Sequence, residues 1–126
     1  MNINIQTVPN EQIKLRMGFT GADWWWENGV LQVRVAGEIG DRHEISCLIV
    51  HEVSEALLCY HLGIPQSEVD AFDKQYQETH PSDLNAGDEL RAPYRLPLCF
   101  ATAIERIMAG ALDVKWKLYD DKLSVI

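Results

Sequence analysis

The run Ile45-Ser46-Cys47-Leu48-Ile49-Val50-His51-Glu52-Val53-Ser54-Glu55-Ala56-Leu57-Leu58-Cys59-Tyr60-His61 decides the fold. At about 100° per residue, Ile45, Ile49, Val53, Ala56, Leu57 and Tyr60 gather on one broad apolar stripe, the core face of a helix. Asp41 followed by Glu44 is a capping-box pattern, and Gly63 and Pro65 supply the stop, so the spacing predicts a helix over residues 42 to 61. His51 and Glu55 stand four residues apart, about 40° from each other, in a second sector shared with Leu48, Leu58 and Leu62. Ser54, His43 and His61 form a third sector, the least apolar, expected to face solvent. A buried polar group without a partner costs a few kcal/mol, so His51 and Glu55 must each find one.

Upstream of this helix the pattern changes from a period of 3.6 to a period of 2. Met1 to Thr7 alternates as a strand, and Gln12 to Met17 is expected to form another short one. Trp24 to Trp26 and Val30 to Val35 are strand-rich runs joined by Glu27, Asn28 and Gly29, where Asn-Gly supplies the positive φ angles of a tight hairpin. Leu31, Val33 and Val35 share one face and Gln32 and Arg34 the other, the mark of a half-buried strand. Gly37 and Gly40 end the sheet. Downstream, Ser67 is the expected cap of a second helix through Val69, Phe72 and Tyr76, ending before Pro81. His80 to Pro93, with Asp83, Asn85, Gly87 and Asp88, has no periodicity and reads as a loop. A third helix is expected from Leu98 to Leu112 with Phe100, Ala103, Ile104, Ile107, Met108 and Ala111 turned to the core, and a short last helix holds Trp116 and Tyr119. The expected architecture is α+β, one domain over residues 1–126, with a small N-terminal antiparallel sheet packed against three to four helices.

Composition narrows the function. The 126 residues are 47% hydrophobic and 24% charged, a globular balance that excludes disordered, collagen-like and coiled-coil classes. Eleven basic against nineteen acidic side chains give a formal net charge of -8, the wrong sign for a phosphate backbone, so no nucleic-acid partner is expected. No signal-peptide pattern opens the sequence, and no apolar stretch approaches the roughly 20 residues that a bilayer demands. Cys47, Cys59 and Cys99 are odd in number and form no CxxC clip, which fits small core thiols in a reducing cytoplasm.

Two side chains at i and i+4 on a helix can grip one cation while the residue after the first ligand points at the bound water. His51-Glu52-Val53-Ser54-Glu55 resembles the zincin metallopeptidase signature HExxH, with glutamate in place of the second histidine. Zincins also place a strand, here Val30 to Val35, ahead of the active helix. The resemblance implies a zincin-like α+β fold and a peptidase-like hydrolase, with His51 and Glu55 as metal ligands and Glu52 as the catalytic general base. An oxygen ligand in place of nitrogen shifts preference toward harder ions, so zinc or manganese is the implied cofactor. His61 has the spacing of a third metzincin histidine, but Leu58 stands where the turning glycine belongs, and an unbroken helix carries His61 about 15 Å from His51. Asp73, His80 and Glu105 are then the candidates for a third ligand, and Asp73 is preferred. A broader resemblance covers most of the chain. Asp23-Trp24-Trp25-Trp26, Leu31 to Val35, His51 to Cys59, Val69-Asp70-Ala71-Phe72-Asp73, Ala92-Pro93-Tyr94 and Phe100 to Arg106 look like a family of small phage and prophage proteins. Its members often carry a histidine near the start of the third helix, where this chain has Leu98, which implies a degraded site.

Plainer readings stand beside these. His51 and Glu55 also make a good hydrogen-bonded i,i+4 pair, Glu52 an ordinary solvated glutamate, and Asp73 a partner for Lys74 or Arg106. His61 and His80 read as surface residues. Trp24 to Trp26 alternate faces, so one or two fill the core and the rest line a groove. Glu52-x-x-Glu55 with Asp70-x-x-Asp73 resembles the paired acidic motifs of the all-α nucleotide pyrophosphatases, which bind magnesium between two helices. A non-catalytic alternative is a phage accessory or inhibitor protein whose acidic surface occupies a basic site on a host defence protein.

Overall fold

A computed structural model describes residues 1–18, 21–81 and 89–126 of the chain. Strand β1 (Asn2–Val8) leads into helix α1 (Asn10–Met17), then β2 (Ala22–Glu27), β3 (Val30–Ala36) and a 3-10 turn at Gly37–Ile39. Helices α2 (Arg42–His61), α3 (Gln66–Thr79), α4 (Arg95–Ala111) and α5 (Trp116–Val125) complete an α+β architecture. Among the described residues no helix is long and apolar enough to cross a membrane.

The hairpin forms where Asn28-Gly29 places it. Both residues take positive φ, 51° and 77°, and β2 runs antiparallel to β3 with Trp24 opposite Val33. The sheet is mixed rather than purely antiparallel: its order is β1-β3-β2, with β1 parallel to β3 and Ile3 opposite Leu31. Gln12 to Met17 lies in helix α1, not in a strand; Asn10 at the head of the helix accepts from the Gly21 backbone, and Gly18, with φ 77°, closes the helix in a left-handed cap. Leu31, Val33 and Val35 are wholly buried under α2, as their alternation requires.

Helix α2 has its capping box. Asp41 accepts from the backbone N–H groups of His43 and Glu44, while Glu44 folds back toward Asp41. Gly40 makes room for that fold, because a Cβ on this residue would collide with the Glu44 carboxylate. Lys122 on α5 reaches the same carboxylate at 2.6 Å and ties the last helix to the start of α2. Helix α3 starts at Gln66 without a side-chain cap, so Ser67 is its second residue rather than its cap. The side chain of Gln66 instead accepts from the backbone N–H of Trp26 at 2.8 Å.

Helix α4 differs most from expectation. Its buried residues are Pro97, Ala101, Glu105 and Ala109, while Phe100, Ile104 and Ile107 are exposed. Small side chains on the inner face let α4 lie close along α2. Of the three thiols, Cys47 and Cys59 are core residues as expected, and Cys99, on a flank of α4, is exposed. Of the loop from His80 to Pro93, Asp83, Asn85, Gly87 and Asp88 lie outside the described residues.

The core has two apolar parts. One joins Ile13, Val35, Ala36, Ile39, Cys47, Leu48, Ala109 and Tyr119; the other joins Trp24, Leu31, Val33, Ala56, Cys59, Val69, Ala92 and Tyr94. Along α2, Cys47 and Leu48 belong to the first part and Ala56 and Cys59 to the second. His51, Glu52 and Glu55 fall on the turn between them.

Candidate functional site

That turn is the centre of a buried polar chain crossing the molecule. Helix α2 buries Cys47, Leu48, Glu55, Ala56 and Cys59 rather than the expected stripe, of which Ile45, Ile49, Val53 and Leu57 are half-buried and Tyr60 is exposed. The reason is that the face with His51 and Glu55 is the one turned to α4 and β2. The helix sets His51 and Glu55 one above the other at i and i+4. His51 Nε2 lies 3.2 Å from Glu55 Oε2, and His51 Nδ1 lies 2.8 Å from Oε1 of Glu105 on α4. Tyr119 on α5 donates its hydroxyl to the other Glu105 oxygen at 2.5 Å. Trp24 on β2 donates its indole N–H to Glu55 Oε1 at 3.0 Å. The order Tyr119, Glu105, His51, Glu55, Trp24 thus links α5, α4, α2 and β2 through side chains alone.

Both ring nitrogens of His51 face carboxylates, so both carry hydrogen and donate. Burial alone would drive the proton off, but hydrogen bonds to Glu105 and Glu55, reinforced by the charges of Glu52 and Glu55, lift the pKa of His51 to about 11. The residue is an imidazolium at neutral pH, charge-assisted on both sides. The Glu52 carboxyl sits beside this pair, partly buried. Burial and the neighbouring Glu55 push its pKa well above the carboxylate range, against the pull of His51. No hydrogen bond reaches its side chain among the described residues.

Asp73 takes a different partner. Tyr94 donates a short hydrogen bond to it. Burial raises the Asp73 pKa to about 7, an effect that the Tyr94 bond opposes and the charges of Glu55 and Asp70 strengthen. The same neighbourhood lifts the Cys59 thiol to about 12, through burial first and the charges of Glu55 and Asp73 after it. Asp70 belongs to a second cluster, in which Arg16 on α1 grips Asp23 at 2.5 and 2.8 Å and Asp70 at 3.0 Å. Gln66 adds a bond to Asp70 at 3.3 Å. Every buried side-chain nitrogen and oxygen among the described residues has a hydrogen-bond partner.

The structure therefore brings together His51, Glu52 and Glu55 and joins Glu105 to them. Asp73 bonds to Tyr94, and His61 and His80 are exposed surface residues. Among the described residues no group of three histidine, cysteine, aspartate or glutamate side chains is arranged to hold a metal ion. Both His51 nitrogens are engaged by carboxylates, so an ion bound at this ring would have to displace one of these hydrogen bonds and its proton. Tyr119, Tyr94 and Arg16 carry much of the polar chemistry, a role that their places in the sequence do not signal. Glu105 is the one carboxylate of α4, and its place on the buried face of that helix is the signal that it serves a buried cation. Among Trp24, Trp25 and Trp26, the first fills core, while Trp25 lies on the opposite sheet face under Arg16 and Arg34, at 5.3 and 4.9 Å from the ring centre. Trp26 packs on Tyr60, with ring centres 5.3 Å apart.

Compared with protein-family models, curated proteins and solved structures, the chain matches none.

Proposed function

We propose that the chain is a non-catalytic accessory domain, of the phage type its motifs resemble, that acts by binding a host protein and has turned a zincin-like helix into an internal ion cluster. The observation that carries this reading is the engagement of both His51 nitrogens by carboxylates of the protein itself, Glu105 on one side and Glu55 on the other. Leu98 supports it, because this side chain packs against the second apolar cluster and offers no donor. The formal charge of -8 supplies the long-range field that speeds encounter with a basic partner.

Metal analysis tests the reading. Protein purified without added metal is expected to contain none in stoichiometric amount and to give no heat on titration with zinc or manganese. Tight 1:1 binding that disappears in folded Glu55→Ala protein would overturn it.

One observation favours the alternative of a metal-dependent, peptidase-like hydrolase. Glu52 is a partly buried carboxyl of raised pKa without a hydrogen bond, next to a histidine and a second carboxylate, which is how a general base is kept. On that reading His51 gives up its proton to become a ligand, with Glu105 orienting the ring through Nδ1. Glu52→Gln then abolishes hydrolysis and leaves metal content unchanged.

A further inference from the structure

Helix α4 is amphipathic, but its apolar face points outward. Leu96, Phe100, Ala103, Ile104, Ile107 and Ala111 fall within about 100° of one another on the wheel, and all are exposed. Phe100 is 54% and Ile107 73% accessible, far beyond what such side chains show in a finished core. Glu105 and Ala109, on the opposite side, face α2. The charged residues of the helix lie off the strip; Arg106, for example, turns aside to stack its guanidinium over Trp116 at 4.7 Å.

The strip is symmetric in a way that identifies what covers it. The gaps between its six positions run 4, 3, 1, 3 and 4, the same read from either end. When two such helices cross antiparallel about a two-fold axis between positions 103 and 104, Leu96 meets Ala111, Phe100 meets Ile107 and Ala103 meets Ile104. Leu96 and Ile104 each meet an alanine, which is the knob-and-hole match that close helix packing needs. We propose that this strip is the interface of an antiparallel α4–α4 homodimer, its partner a second copy of this chain.

The size of the strip agrees. At about 200 Å² for a fully exposed large apolar side chain, the strip offers roughly 500 Å² per copy, about 1,000 Å² for the pair, which is the least that a specific interface needs. The seam itself carries no ionised group, so two chains of charge -8 meet there without a charge contact, while their overall repulsion is screened by salt. The dimer is therefore expected to dissociate at low micromolar concentration and to strengthen as salt is added. The inference does not depend on whether the domain is catalytic.

Sedimentation velocity across about 1 to 500 µM decides it, since mass action must shift a weak dimer over that range. The expected result is a monomer–dimer equilibrium, tighter in high salt, that Ile107→Glu abolishes while the thermal melt of the fold stays intact. A chain that remains monomeric at the top of the range overturns the proposal and leaves the strip to a different protein. A dimer that survives both Ile107→Glu and Phe100→Asp also overturns it. Register is read by oxidation in a Cys99→Ser background. Phe100→Cys chains mixed with Ile107→Cys chains are expected to form the mixed disulfide, whereas Phe100→Cys alone does not cross-link. Two copies of position 100 stand seven residues apart, about 10 Å along the axis, beyond disulfide reach. Cross-linking of Phe100→Cys alone means a parallel pair, which refutes the antiparallel dimer.

Discussion

The Nδ1 atom of His51 lies 2.8 Å from Oε1 of Glu105, across 54 residues of sequence, and this bond joins the two longest helices through their least apolar turns. It decides the state of the imidazole. With Glu55 on the other nitrogen, the ring is clamped between two carboxylates in a part of the protein where an unpaired charge would be costly.

His51 is therefore expected to keep its proton across the whole range in which histidines ordinarily titrate. In an NMR titration the ring signals of His51 are expected to stay put through neutrality and to move only as the pH approaches its pKa of about 11. Glu105→Gln removes one charge and brings the midpoint down. A His51 midpoint near 6.5 in the unaltered protein would contradict the clamp.

Stability is expected to fall as pH rises. His51 has a pKa of about 11 in the fold against an ordinary 6.5, so its contribution is complete below pH 6.5 and is lost between 6.5 and 11. Asp73, at about 7 against 3.8, binds in the fold a proton that the unfolded chain has released, which gives the same downward slope between 3.8 and 7. Urea melts at a series of pH values should show a lower midpoint at about pH 9 than at about pH 6. The opposite slope would mean that neither proton is held as described.

Truncating the clamp should be more damaging than its small size suggests. His51→Gln leaves Glu55 and Glu105 buried without their shared cation, and a loss of about 3 to 5 kcal/mol is expected. The pH slope above neutrality should flatten in the same variant. A loss below about 1 kcal/mol would place the pair in solvent, where ion pairs contribute little.

Arg16→Met should cost about 2 kcal/mol, less than a fully buried pair because the arginine side chain keeps 23% of its surface exposed. Its two carboxylates, Asp23 and Asp70, come from β2 and α3, so amide exchange should rise at the ends of both elements. Unchanged exchange there would show that sheet and helix do not depend on the arginine.

Trp24→Phe keeps most of the ring's packing and removes the indole N–H that Glu55 accepts. A cost of about 1.5 to 3 kcal/mol is expected from a bond to a charged group. The double variant with Glu55→Gln should lose less than the two single changes added together, since both act on the same bond.

Much of this fold could be read from local signals. The capping box at Asp41 and Glu44 and the Asn28-Gly29 turn act within a few residues of themselves, so helix α2 and the hairpin were legible. The face of α4 was not. Amphipathicity alone points Phe100, Ile104 and Ile107 inward, but the inner face is chosen by what α2 needs: small residues for close approach and a carboxylate for His51. That requirement is written on another helix. The polar Gln12 to Met17 segment, short and weakly patterned, was likewise decided by its tertiary position, where Asn10 at its start bonds the backbone of Gly21 at 2.8 Å. His51 and Glu55 could be paired from spacing alone, whereas Tyr119 and Tyr94 reach their carboxylates only through the fold.

Among the described residues strand β1 pairs with β3 alone and lies at the edge of the sheet, with Ile3 and Ile5 exposed. Its partner follows 28 residues later, after α1 and the whole of β2. As the chain leaves a ribosome, β1 emerges before the other two strands and is yet the last of the three to find its place. Until β3 has folded back on β2, an alternating strand waits with its backbone groups unsatisfied, and any other such strand nearby is a rival for them. The hairpin's early closure is what limits that interval, so slowing the Asn28-Gly29 turn should raise losses to aggregation during synthesis even where the finished protein is equally stable.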